Sequence, residues 1–110
     1  MSLRVVLLSL VSLATALALA AAGASAQSAT AASRGGDIAA RACAGCHALE
    51  GGAAAQPGTA GPAFREIAAR PGQSRERLQS LVLTPHRPMP GLALSLAEVD
   101  DVVAYILSLR

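Results

Sequence analysis

Lysine and tryptophan are missing from this chain, and Phe64 and Tyr105 are its only large aromatic rings in 110 residues. Nine arginines and seven acids give a formal charge of +2. No basic tract and no aromatic platform exist, which excludes a nucleic-acid surface. The missing lysines also exclude a strongly cationic docking ring; arginine in place of lysine, with abundant Ala and Gly, is what GC-rich coding produces. Two cysteines, Cys43 and Cys46, leave no material for a disulfide network. No stretch alternates at period two for long enough to make a strand, so a sheet is excluded too, and there are no internal repeats.

What the chain has in excess is apolar residues, 53 % of the total with a mean hydropathy of +0.46, and many of them stand at the front. Arg4 is the one charge before an uncharged apolar run at 5–22, and Ala24, Ser25 and Ala26 form a small-residue A-x-A site. This is the pattern of an export signal over residues 1–26, cleaved before Gln27. The alternative is a retained membrane anchor, since about 18 apolar residues just span a bilayer. Export places the protein outside the cytosol, in a bacterium the periplasm. Residues 27–34 read as a flexible lead-in, and 35–110 as one small domain. A domain of about 84 residues or fewer with two aromatics struggles to bury a sufficient core alone.

The informative motif is Cys43-Ala44-Gly45-Cys46-His47. C-x-x-C-H is the attachment pattern of a c-type haem. Two thiols add to the two vinyl groups, a helical turn presents both sulfurs to one porphyrin edge, and His47 is carried under the iron as a ligand. A thioredoxin-like redox pair would want a βαβ setting. A zinc site would want a second ligand pair, which does not exist. A Cys43–Cys46 disulfide would close a very small loop and stabilise little. One covalently held haem c, packed on both faces, would also supply the buried apolar area the chain lacks.

Along the domain, 35–42 reads as a helix entering the motif, with Asp37 near its positive end, Ile38 and Ala42 on one face and Gly35 and Ala39 on an adjacent small face. Residues 49–61, with four glycines, three consecutive alanines and Pro57, read as a loop round one haem edge. Pro62 can start a short helix over 63–69 that stops at Arg70-Pro71-Gly72. Ser74 can cap a helix over 75–82 whose apolar face is Leu78, Leu81 and Val82. The prolines at 85, 88 and 90 leave a stiff extended loop. Ser95 and Glu98 form a capping box opening a final helix, with Val99, Val102, Val103, Ile106 and Leu107 on one face and Tyr105 beside it.

Met89 is the candidate second axial ligand. It is the only methionine left after the leader, and a thioether on the far face completes six-coordinate iron and raises its potential. The flanking prolines would hold the sulfur in place whatever the oxidation state. The competing roles are gap-filling for Met89 and ligation by His86 in its stead.

Residues 43–47, Gly61-Pro62-Ala63-Phe64, Met89-Pro90 and the helix at 98–109 containing Tyr105 occur in the order of a class I monohaem cytochrome c of bacterial type, which the chain resembles over 35–110. The resemblance implies an all-α cytochrome c fold, about four short helices wrapped round one haem attached through Cys43 and Cys46, with His47 and Met89 on the iron. It implies a close crossing of first and last helices at Gly35 and Tyr105, where Ala39 replaces a common aromatic and makes the crossing tighter but weaker. It also implies that the Pro62 carbonyl fixes the His47 ring and that Phe64 lines the pocket.

The function expected is a periplasmic one-electron carrier, not an enzyme. Glu66, Glu76, Glu98, Asp100 and Asp101 read as solvated helix faces rather than catalytic groups, and Arg65, Arg70 and Arg87 as surface charges that could neutralise propionates. Its partners would be transient redox proteins met by a monomer, with no nucleic acid and no stable membrane insertion once the leader is cleaved. The alternatives are a dedicated haem subunit of an oxidoreductase, docking through Ala53–Ala55 or 91–94, and an open-site haem enzyme or gas sensor.

Overall fold

A computed structural model describes residues 3–50, 61–84, 86 and 89–110; within 3–19 it describes the side chains of Leu8, Ser12 and Thr15 only. Four helices follow in order, α1 (Leu3–Ala42), α2 (Phe64–Ala68), α3 (Arg75–Leu83) and α4 (Leu96–Ser108), with no strand among the described residues. The all-α architecture of the sequence reading stands, but the first helix is long. It runs unbroken from Leu3 through 27–34, where a flexible lead-in was expected. The physical reason is composition: 24–33 holds neither Gly nor Pro and is rich in Ala, the best helix former. Its hydroxyls also bond back into the helix, Thr30 to the Ala26 carbonyl at 2.9 Å and Ser25 to that of Ala21 at 3.1 Å. Asp37 therefore lies inside α1, exposed, and not at a helix start.

Helix α4 is the centre of the packing, touched by α1, α2 and α3. Ser95 accepts from the Glu98 amide at 3.3 Å, while the Glu98 carboxylate accepts from the Ser95 amide at 2.8 Å, so the capping box expected there is formed. These bonds hold the Glu98 carboxyl below its ordinary range. Val99, Val102, Val103 and Ile106 are buried along one face. Against them lie Ile38 and Ala39 from α1, Cys43 just beyond its end, Phe64 and Ala68 from α2, and Leu78 from α3.

The α1–α4 crossing is as close as backbones allow. A Cβ on Gly35 would fall on the Asp101 carbonyl and 2.9 Å from the Tyr105 Cβ. Ala39, fully buried, fills the next position on the same face. Arg34 closes the crossing from outside, donating to both Asp101 carboxylate oxygens at 2.7 and 2.8 Å. Asp101 is thus not on a solvated face; its side chain is 14 % exposed. Leu81, expected on the apolar face of α3, is exposed at 39 %, and Ala42, on one face with buried Ile38 by spacing, is exposed as well.

Ser74 caps α3 by accepting from the Arg77 amide at 3.2 Å, and the turn before it uses Gly72 at φ +69°. Arg110 ties the C-terminus to this turn, donating to the Gln73 carbonyl at 2.6 Å and the Ala68 carbonyl at 3.3 Å.

Candidate haem site

The end of α1 places the C-x-x-C-H residues on one further turn. Cys43 N donates to the Ala39 carbonyl at 2.8 Å; Cys46 N and His47 N both donate to the Cys43 carbonyl, at 3.0 and 2.9 Å. The two sulfurs and the imidazole are therefore fixed by a single loop of backbone. Both cysteines are free thiols, Cys43 buried and Cys46 exposed. Burial, and then the neighbouring Cys46, hold the Cys43 thiol above its ordinary range.

His47 is half-buried and held on two sides. Its Nδ1 lies 2.8 Å from the Pro62 carbonyl oxygen. A carbonyl only accepts, so Nδ1 carries a proton, and Nε2 is the nitrogen left to act as a ligand. Gly61 lies flat on the ring; a Cβ there would stand 2.5 Å from Cε1 and 2.8 Å from Nδ1. The Phe64 ring sits 5.1 Å from the imidazole and 6.2 Å from the ring of Tyr105, edge-on to the latter. Phe64 is buried at the start of α2, which opens one residue after Ala63, whose amide donates to the Glu66 carboxylate at 3.3 Å.

These residues fit a covalently attached haem. Two thiols on one turn can reach one porphyrin edge, and an imidazole whose Nδ1 is tied to a carbonyl presents Nε2 as the nitrogen for iron. Among the described residues no three His, Cys, Asp or Glu side chains gather to hold a metal ion by themselves.

Cys43, Cys46, His47, Pro62 and Phe64 are thus brought together. Met89 is half-buried on the connection between α3 and α4; Pro85, Arg87 and Pro88 beside it lie outside the described residues. His86 is exposed, its Nδ1 3.4 Å from the Thr84 carbonyl oxygen of its own loop. The alanines at 53–55 also lie outside the described residues; of 91–94, Gly91 and Ala93 are exposed, Leu92 and Leu94 half-buried.

Sequence reasoning passed over two residues here. Gly61 was visible only as the partner of Pro62 in a short motif. Glu50 forms an ion pair with Arg65, Oε1 to Nη2 at 2.6 Å, and opposite charges flanking a Gly- and Ala-rich loop were the available signal.

The cytochrome c family model matches residues 32–110. A curated relative, cytochrome c-552 of Bradyrhizobium diazoefficiens, is 43 % identical over 79 residues, covering 72 % of this chain and 75 % of its own. No solved structure matches the chain significantly.

Proposed function

This chain belongs to the cytochrome c family, whose members carry single electrons without transforming a substrate, and from that premise we propose that it holds one haem c with His47 and Met89 on the iron and serves as a periplasmic electron carrier. The bond from His47 Nδ1 to the Pro62 carbonyl carries the proposal, because it prepares Nε2 as a ligand in the folded chain itself.

When bound, the haem supplies a one-electron ferric–ferrous couple. The rest is the work of the protein. Cys43 and Cys46 would hold the haem through two thioethers, each formed by addition of S–H across one vinyl group. Pro62 holds the proton on Nδ1 and makes His47 a stronger donor. Gly61 and Phe64 restrict the tilt of the ring, which keeps reorganisation small between oxidation states. Met89 would provide a thioether from a loop in which Pro90 follows it directly; its partial burial, set against the exposure of His86, favours the methionine. Exposure of Cys46 beside buried Cys43 leaves the Cys46 side of the attachment edge open to transient protein partners. The leader at 1–26 would deliver a cleaved monomer to the periplasm, where haem attachment would use both cysteines in their thiol form.

The test is the visible spectrum of the exported protein, oxidised and reduced, with carbon monoxide then added to the reduced form. Sharp low-spin bands indifferent to carbon monoxide are expected. A spectrum that shifts with the gas would show an open or labile sixth site and replace the carrier with an open-site enzyme or sensor.

A further inference from the structure

Segments 46–50 and 61–65 lie side by side, joined by an ordered series of contacts. Gly61 N donates to the Cys46 carbonyl at 2.6 Å, His47 Nδ1 to the Pro62 carbonyl at 2.8 Å, and Phe64 N to the Ala48 carbonyl at 3.0 Å. The last rung is the Arg65 fork on the Glu50 carboxylate, Nε to Oε2 at 3.0 Å and Nη2 to Oε1 at 2.6 Å. This rung is also fastened to α4 from both members. Arg65 Nη1 donates to the Leu109 carbonyl at 3.2 Å, and Glu50 N donates to the Tyr105 hydroxyl oxygen at 3.3 Å.

We propose that Arg65, acting through Glu50, is a positioning residue for His47: it pins the end of this ladder to α4 and so keeps the Pro62 carbonyl on Nδ1. The inference rests on the reading that His47 ligates the haem. An exposed ion pair alone contributes little. This one differs in being bidentate, in sharing its guanidinium with a backbone carbonyl at the end of α4, and in closing a short series whose second rung is the His47 bond. When it opens, the segment carrying residues 48–50 loses its link to the end of α4 through Arg65 and keeps only the Glu50 amide bond to the Tyr105 hydroxyl, and the freed fluctuation passes to the neighbouring rungs. The effect belongs to local opening near the ligand more than to global unfolding.

The experiment measures solvent exchange of the His47 Nδ1 proton by NMR in reduced, histidine-labelled holoprotein, with the reduction potential taken on the same samples. The variants are Arg65→Gln and Glu50→Gln. The control is Arg34→Gln, which breaks another bidentate pair, with Asp101, that shares no residue with the ladder. Exchange should rise about three- to fivefold in both ladder variants and hold its wild-type rate in the control. The potential should rise in the same two, because a weaker bond at Nδ1 makes the imidazole a poorer donor. Arg65→Lys, which keeps the charge and loses the fork, should fall between. Unchanged exchange in both ladder variants, or an equal rise in Arg34→Gln, would overturn the proposal. If His47 ring protons in the wild type lack the ring-current shifts of a haem-bound imidazole, the ligation reading fails first and takes this one with it.

Discussion

Gly35 and Gly36 are neighbours in sequence, yet alanine should have opposite effects at the two. A methyl group at Gly35 lands on the Asp101 carbonyl, which is backbone and cannot rotate away, and 2.9 Å from the Tyr105 Cβ. The helices must separate to admit it. Overpacking costs about 1–3 kcal/mol, and a backbone obstacle places this site near the top of that range. Replacing a helical glycine by alanine returns about 1 kcal/mol, so Gly35→Ala should lose roughly 2 kcal/mol. At Gly36 the methyl would lie 3.5 Å from the Tyr105 ring, an ordinary contact. There only the propensity gain remains, and Gly36→Ala should gain up to about 1 kcal/mol. For a domain of this size these become a fall of roughly 8–16 °C and a rise of up to about 4–8 °C in Tm. Thermal unfolding of both holoproteins, followed by circular dichroism at helical wavelengths, measures the difference. Equal shifts of either sign, or a Gly35→Ala protein as stable as the wild type, would refute the crossing described here.

Gly61→Ala should displace the imidazole, since the new Cβ would stand 2.5 Å from His47 Cε1; a loss of about 1–3 kcal/mol and an altered visible spectrum are expected, and an unchanged spectrum and Tm would count against the packing. Ser95→Ala removes the hydroxyl that caps α4 and should cost about 1 kcal/mol in denaturant titration. The hydrogen bonds from Arg34 hold the Asp101 carboxyl below its ordinary range. A carboxylate lowered in the folded state stabilises above its unfolded pKa of about 3.9, and that contribution fades as pH falls through the lower folded value. Wild type should therefore exceed Asp101→Asn in Tm near neutrality, with the two profiles converging in strong acid; a constant gap would show that the pair acts by packing alone.

The parts of this molecule that can be read along the chain are those whose partners are close in sequence. The attachment turn spans five residues, the caps at Ser74 and Ser95 reach three residues ahead, and the apolar face of α4 repeats within two turns. Each is a local hydrogen bond or a local period. The close crossing at Gly35 and the Pro62 bond to His47 are not local, and they became visible only because the order of motifs resembles a family. The bounds of α1 escaped because its helical propensity is continuous while the reading divided it by function, with a leader, a lead-in and a domain.

The ion pairs escaped for a different reason. Arg34 meets Asp101 across 67 positions and Arg65 meets Glu50 across 15. A charge on a helix carries no mark of its partner, and a solvated face is the ordinary fate of such residues. Both pairs nevertheless stand where a backbone approach has to be held, one beside the glycine at the α1–α4 crossing and the other at the end of the contacts that orient His47. The chain is poor in aromatic rings, and Leu83 and Leu96 remain exposed at 50 % and 71 %. With so little apolar mass to lock its elements by packing, directional bonds from arginine take over part of that role. Arg34, Arg65 and Arg110 each bridge to an element far away in sequence. The guanidinium suits this work because its fork fixes direction as well as distance, which an ammonium group would not.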